Sequence, residues 1–413
     1  MRKTYLPRYP LRLAAACLLF PAACLLVSAC AYRGYELMPT TQRPSETQYP
    51  FLGMDLPIAP DEIDVTQWLT IPATQGETPP WQENHTQEGQ PSSPYTPQSP
   101  GYEASQATAA PPPAQGARLN KGIGIPPRRI ADVYEYLQAH EWSTRTEFAQ
   151  QPQVFAPYVL GKLGDTARRG ALNHVNCIRY IAGLPEVAWD DAQTEDAQAA
   201  AVILARTKVL THTPDRPADM PQELYRMAYD ACNTSNIANA GRQNTLHNAI
   251  NMFLDDSDPT NLPALSHRRW MLNPSMGKTA FGLAETYCAM TAVDGSAPRN
   301  AAYDVVMYPA QVQPVSFFGA QWAWTVSFAD GFDIGGAVRV ILVRRGDSRG
   351  WELTPGGSAG VLLRSTHTYG QPNCLIFRPG GFSVAAGDVV DVQIEGVTRR
   401  GQAHLVQYTV QFV

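Results

Sequence analysis

The sequence lacks several features that would assign it to a function class at once. After residue 30 it has no apolar run of the roughly 20 residues that a membrane-spanning helix needs. Its 32 lysines and arginines are outnumbered by 37 acidic residues, and a net charge of −5 offers no basic face for nucleic acid. It contains no C-x-x-C pair and no glycine loop followed by Lys-Ser/Thr. A zinc knuckle, a thioredoxin-like redox site and a nucleotide loop are therefore not predicted.

The first 29 residues have the layout of a secretory signal peptide. A basic start precedes an apolar run over residues 13–27, which ends in the small residues before Cys30. A cysteine at this place is typical of a lipoprotein signal, in which diacylglycerol joins the sulfur and cleavage leaves Cys30 first. The alternative, a plain membrane helix, requires a longer run than this one, which Pro21 interrupts. We expect an exported lipoprotein held at a membrane through Cys30.

The residue after the anchor bears on which membrane holds the protein. Ala31 stands where an aspartate retains many bacterial lipoproteins at the inner membrane. We therefore expect the outer membrane, or the outer face of the cell membrane in a cell with one membrane. The sequence does not indicate an oligomeric state.

A low-complexity stretch follows the anchor over residues 30–116. It is rich in Pro, Thr, Gln and Ser, as in SSPYTPQSPGYE and ATAAPPPAQG, and poor in aliphatic residues. Such a composition buries too little apolar surface to offset chain entropy, so we expect a disordered tether. Residues 117–168, which include ADVYEYLQAHEW, are predicted to form a partly helical lead-in.

Apolar residues recur at helical spacing in four stretches between residues 169 and 310. Asp190 or Asp191 can cap the second helix, Thr245 can cap the fourth, and Pro274 ends the helical run. Two strands are predicted after the helices, in FGLAETYCAM and YDVVMYP. The residues predicted to face inward are Leu172, Val175, Ile178, Ala182, Ala199, Val202, Ile203, Leu210, Leu246, Ile250 and Phe253.

The pattern changes to period two after Pro309. Val390, Val392 and Ile394 alternate with polar residues, and the same alternation runs from residue 406 to 412. Several such strands separated by Gly/Pro turns are typical of an antiparallel sandwich. Residues 311–413 are therefore predicted to form a second, all-β domain.

Residues 171 to about 308 resemble the CAP (SCP-like) superfamily in its bacterial form. The resemblance is carried by ALNHVNCIRYIAGLPEVAWDDAQTEDAQAAAVILARTKVLTHT, then SNIANAG, then LSHRRWMLNPSMGKTAFGLA. It implies an α-β-α sandwich with a surface cleft. The predicted fold class is α+β: a tether, a CAP-like domain over 169–310, and an Ig-like sandwich over 311–413.

The resemblance also implies which residues line the cleft. Two family histidines match His212 and His267, and a family acidic residue matches Asp256, three positions after Phe253. The other family acid belongs to a Gly-Glu-Asn-Ile-Ala motif. Here Ser235 stands in its place, followed by Asn236.

The cleft residues allow two kinds of chemistry. Two imidazoles and a carboxylate can hold a transition metal, zinc above all, so His212, His267 and Asp256 are tentative zinc ligands. Hydrolysis also needs a general base, which Ser235 cannot supply, and Glu285 and Glu223 are the nearby acids that could. Asp256 also lies in the acidic run 255–258, for which a solvated loop or helix end is favoured over a site.

Other chemically active residues have alternatives that stay open. Cys177, Cys232, Cys288 and Cys374 permit two disulfides in an oxidising compartment, or four buried thiols. His174 and His247 lie within predicted helices and are expected to be structural or exposed. Residues 356–360 fit G-x-S-x-G, but strand-like residues follow them, so we expect a turn and no catalytic triad with His367 or His404.

The sequence is compatible with three functions. The favoured one is binding at the cell surface or in the periplasm, with a small apolar ligand, an envelope polymer or a protein as partner. A metal-dependent hydrolase acting on peptide or cell-envelope material is the second, and a purely structural envelope protein is the third. Nucleic acid is not expected as a partner.

Overall fold

The structure is a computed structural model that describes residues 122–142, 146–242, 245–297 and 303–413. The predicted signal peptide, the lipidated Cys30 and the tether over 30–116 lie outside these residues. Within the described ranges, no helix is both long enough and apolar enough to cross a bilayer.

The lead-in forms one helix and a small hairpin. Helix α1 spans Ile130–Ala139, and strands β1 (Phe148–Gln150) and β2 (Lys162–Leu163) pair antiparallel. Helix α1 packs on the next helix by ring stacking, with Tyr136 lying 3.8 Å from the ring of Tyr180. The lead-in therefore packs against the domain that follows it.

Five further helices follow. They are α2 (Asp165–Ile181), α3 (Thr194–Thr207), α4 (Gln222–Thr234), α5 (Thr245–Asp255) and α6 (Ser266–Met271). All four predicted helices are present, but two details of the prediction were wrong. The N-cap of α3 is Gln193, so neither Asp190 nor Asp191 caps it. Leu210 is 48% exposed, because Lys208 in a left-handed conformation ends α3 before it.

A three-stranded sheet lies between the helices. Its order is β4 (Ser235–Asn239), β7 (Tyr287–Thr291) and β6 (Phe281–Ala284), while β3 (Ala188–Trp189) pairs separately with β5 (Lys278–Thr279). Ile237 and Ala289 pack with α3 and α4, whereas Ala238 and Met290 pack with α2 and α5. The layers are therefore helix, sheet and helix.

One glycine allows the close approach of α3 to this sheet. A Cβ atom on Gly282 would lie 2.0 Å from the carbonyl oxygen of Ala197 in the first turn of α3. Beside it, the Gln198 side chain hydrogen-bonds the backbone of Leu283 in both directions, at 2.6 and 3.0 Å. A larger residue at position 282 would push α3 away from β6.

The C-terminal region is all-β apart from a short 3-10 helix over Val315–Phe317. One sheet has the order β13 (Gly360–Ser365), β14 (Asn373–Pro379), β10 (Trp324–Phe328) and β8 (Val305–Tyr308). The other has the order β12 (Arg349–Leu353), β11 (Phe332–Arg344), β15 (Val389–Arg399), β16 (Gln402–Phe412) and β9 (Val312–Gln313). The α+β class and the β-rich C-terminal region are confirmed.

The two parts of the fold share a hydrophobic core. Val390, Val392 and Ile394 are buried, as the period-two pattern predicted, in the same cluster as residues of α2 and α5. Strand β8 lies before the predicted boundary at residue 310, yet it pairs with β10 of the C-terminal sheet. Residues 356–359 lie in the expected turn between β12 and β13, and Gly360 begins β13.

The four cysteines after Cys30 are free. Cys177, Cys232, Cys288 and Cys374 are all buried thiols, so the alternative of two disulfides does not hold. They fall in different places: α2, α4, β7 and β14, spread over three separate hydrophobic clusters. Burial raises the pKa of the thiols of Cys177 and Cys232 to about 12, which keeps them protonated and unreactive.

A stack of rings attaches the lead-in to α2 and α5. The ring centroids of Trp142 and His174 are 4.4 Å apart, and those of His174 and His247 are 4.5 Å apart. The ring of Phe317 contacts those of Trp142 and His174 edge-on. The Trp142 indole N–H donates to Nδ1 of His247 at 3.0 Å, and Nδ1 of buried His174 has no partner within the described residues. Both histidines are structural, one of the two alternatives predicted for them.

This stack predicts a loss of stability in acid. Burial, and for His174 also the proximity of His247, lowers the pKa of both imidazoles. Below the unfolded value near 6.5 the unfolded chain then binds more protons, so the free energy of unfolding falls as pH drops. We expect the melting temperature of the wild type to fall as the pH is lowered from 7.5 to 5. The fall should be smaller in His174→Phe, because phenylalanine keeps a ring at this place but cannot titrate. An equal fall in both proteins would contradict the assignment.

Candidate functional site

Asp256 and His267 form a pair at the end of α5 and the start of α6. Nδ1 of His267 lies 2.7 Å from Oδ1 of Asp256, and the His267 backbone N–H donates to Oδ2 at 2.9 Å. The backbone N–H of Arg268 also donates to Oδ2, at 3.3 Å. Since a carboxylate accepts, Nδ1 of His267 carries the proton, and the ring is fixed with Nε2 as its remaining nitrogen.

The surroundings of this pair set the charge of His267. Its side chain is 16% exposed and that of Asp256 only 1%. Burial alone lowers the pKa of His267, but the charge and hydrogen bond of Asp256, helped by Asp258, outweigh that effect and raise it. His267 is thus a protonated donor over a wider pH range than a free histidine.

Asp256 lies at a helix end, as one alternative had it, but it is buried, so the prediction of a solvated residue was wrong. Its backbone adopts φ 48°, the left-handed region, directly after α5 ends at Asp255. This conformation lets its carboxylate accept from the first turn of α6, where negative charge is favoured. The neighbouring Asp258 is exposed, as predicted for the run.

His212 lies opposite His267 on the loop after α3. Its Nδ1 lies 2.7 Å from the carbonyl oxygen of Cys232 in α4, so Nδ1 donates and Nε2 is left as an acceptor. His212 retains exposed surface, yet protein atoms crowd its ring. This desolvation lowers the pKa of His212, the bond to Cys232 raises it less, and His267 lowers it further.

The two imidazoles face each other with different charge preferences. Their ring centroids are 6.4 Å apart and their planes differ by 24°. Each Nδ1 is held by the protein, and neither Nε2 has a hydrogen-bond partner within the described residues. The pKa of His212 is lowered and that of His267 is raised, so at a pH between the two values His212 offers an acceptor and His267 a donor at Nε2.

Asn236 and Ser235 lie at the start of β4. The Asn236 side chain donates to the carbonyl oxygen of His267 at 2.9 Å and so supports α6 from the sheet. Ser235 is buried, and its hydroxyl has no partner within the described residues. Asn236 therefore supports the site through the backbone, and neither residue supplies a carboxylate.

The two acids proposed as a replacement base are engaged or exposed elsewhere. Glu285 lies in the turn between β6 and β7 and forms an ion pair with Lys208. Glu223 is exposed in the first turn of α4. Within the described residues neither forms a hydrogen bond or ion pair with His212 or His267, so neither glutamate supplies a base to the two imidazoles.

Sequence reasoning missed the two residues that follow His267. Arg268 and Arg269 are buried, and both donate to the β-rich C-terminal region. The motif LSHRRW contained both, but nothing in the spacing indicated that they face inward. The signal that could have identified them is the pair of arginines that directly follows a site histidine at the start of a helix.

Comparison with known proteins agrees with this geometry. Residues 172–292 match the family model of CAP, the cysteine-rich secretory protein family. The chain contains a CAP domain. No curated protein and no solved structure matches the chain. The matched residues include His212, Asp256 and His267.

The cleft of the CAP domain offers too few ligands for zinc. Catalytic zinc takes three protein ligands and structural zinc four. Asp256 bonds Nδ1 of His267, on the side of the ring away from Nε2, so it cannot share a metal ion with Nε2, and only two imidazole nitrogens remain. Elsewhere in the described ranges, no three His, Cys, Asp or Glu side chains are grouped to hold a metal ion. These residues do not fit the three-ligand zinc site.

The contact between Asp256 and His267 predicts how the charge of one carboxylate controls the pKa of His267. In Asp256→Asn the raising influence of the carboxylate is lost while burial remains, so the pKa of His267 should fall below its ordinary value near 6.5. Histidine NMR titration measures this value. Asp258→Asn is the matched control, because the smaller influence of Asp258 predicts a smaller fall. An unchanged pKa in Asp256→Asn would contradict the account.

Proposed function

We propose that this protein is an exported lipoprotein, anchored through Cys30, whose CAP domain binds a ligand of the cell envelope. The observation that carries the proposal is the pair of fixed imidazoles. His267 is held by Asp256, which raises its pKa, and in its protonated form it presents a donor at Nε2, whereas neutral His212, held by Cys232, presents an acceptor. A ligand with a carboxylate or phosphate oxygen would complement His267.

Apolar side chains on the same loop support an amphiphilic ligand. Val209 and Leu210, which precede His212, are 55% and 48% exposed. Large apolar side chains side by side on a surface loop are available for contact with an apolar ligand. A polar head at the imidazoles and an apolar part along this loop would fit a lipid or a lipid-linked envelope molecule.

Binding is better supported than hydrolysis. Hydrolysis would need an activated nucleophile or a metal-bound water, together with a base. The described residues hold no three-ligand metal group, and Ser235 supplies no carboxylate. We therefore propose binding and not hydrolysis as the function of the CAP domain.

The binding proposal is tested by native mass spectrometry of the full-length protein purified from membranes. We expect a co-purified mass in the wild type that is lost in His267→Ala. His367→Ala is the control, because the carbonyl oxygen of His367, and not its ring, contacts Arg269. A bare wild-type protein, or a mass that His267→Ala retains, would count against the cleft as the site.

Anchoring is tested independently. Lipid joins the sulfur of Cys30, and two or more chains are needed for stable attachment. We expect Cys30→Ser to abolish incorporation of labelled palmitate and to release the protein from the membrane fraction. Labelled protein in the Cys30→Ser strain would exclude this lipidation site.

A further inference from the structure

Arg268 holds the turn that contains Asp256. Its guanidinium donates to the carbonyl oxygens of Leu254 and Asp255, which directly precede Asp256, and it lies 3.5 Å from the hydroxyl of Ser257, which directly follows. Its own backbone N–H donates to Asp256. One side chain thus binds both flanks of a residue in the uncommon left-handed conformation.

The same guanidinium connects this turn to the C-terminal sheets. Nη1 of Arg268 donates to the carbonyl oxygen of Ala323, which directly precedes β10. The N–H of Ala323 donates in return to the Ser257 hydroxyl at 2.9 Å, and that hydroxyl donates to Asp255. The Asp256 turn and the start of β10 are therefore tied by hydrogen bonds in both directions.

Arg269 adds a second attachment of α6 to the same region. It donates to the Ser365 hydroxyl at the end of β13, and to the carbonyl oxygens of His367 and Gln371 in the loop before β14. Both arginines are buried, so these bonds have no competition from water. His267 faces His212 while its two successors are bound to the β-rich region.

From these contacts we infer that Arg268 is the positioning residue of the cleft, and that the C-terminal sheets are a required part of its frame. The C-terminal sheets are therefore not a module independent of the cleft. Arg268 acts through Asp256: it fixes the turn, the turn fixes the carboxylate, and the carboxylate fixes the ring of His267. Lysine cannot replace it, because an ammonium has three donors on one atom and cannot span acceptors that a planar fork reaches.

The test compares two buried arginines. Arg268→Lys is matched by Arg179→Lys, because Arg179 is equally buried and also donates to backbone carbonyls, those of Pro185, Met271, Asn273 and Met276. Arg179 makes no hydrogen bond to residues 254–257. Stability is followed by melting temperature. Positioning is followed by the NMR resonance of the His267 Nδ1 proton, which its bond to Asp256 shifts downfield.

Inorganic phosphate serves as the binding probe. Only this part of the inference, the anionic ligand, rests on the proposed function. We expect both variants to lose stability, but only Arg268→Lys to lose the Nδ1 resonance and to bind phosphate roughly tenfold more weakly, as when a charged hydrogen bond is misaligned. Should Arg268→Lys fail to fold, Ser257→Ala removes the link to Ala323 and is expected to shift the same resonance.

The outcomes separate the inference from the proposed function. An unchanged Nδ1 resonance in Arg268→Lys overturns the inference, as does an equal loss in Arg179→Lys. If the wild type shows no phosphate binding while Arg268→Lys alone loses the resonance, the positioning role stands and the anionic ligand is refuted.

Discussion

The site depends on the burial of one arginine between two parts of the fold. Arg268 is fully buried, and an unpaired guanidinium there would be very costly, so each of its three side-chain nitrogens requires an acceptor. The carbonyl oxygens of Leu254, Asp255 and Ala323 meet that requirement. Because these acceptors belong to the Asp256 turn and to the β-rich region, satisfying Arg268 also fixes the position of Asp256.

The charge states of the cleft follow from this arrangement. The Asp256 carboxylate beside His267 raises the pKa of that ring, whereas His212 has only a backbone carbonyl as partner and its pKa is lowered by desolvation. Two identical side chains thereby acquire different protonation preferences, as their surroundings dictate. A donor facing an acceptor suits recognition of a polar group more directly than metal coordination, for which both rings must be neutral.

Local patterns predicted the elements, and the family resemblance predicted the histidines. Helical spacing located α2 to α5, and period two located β15 and β16, because both repeats reflect burial of one face. Leu210 was misassigned because a left-handed Lys208 ends α3 early, which spacing does not encode. Arg268 was missed because its acceptor at Ala323 lies 55 residues away along the chain, a contact that only tertiary packing creates.

Both rings are held through Nδ1 and leave Nε2 for a ligand. The most direct measurement is long-range 1H–15N correlation NMR of the histidines in the unliganded wild type at neutral pH, which reads the tautomer of each ring. The account predicts a neutral His212 protonated on Nδ1 and a His267 whose Nδ1 proton is hydrogen-bonded to Asp256. A His212 protonated on Nε2, or a His267 Nδ1 without its proton, would contradict it.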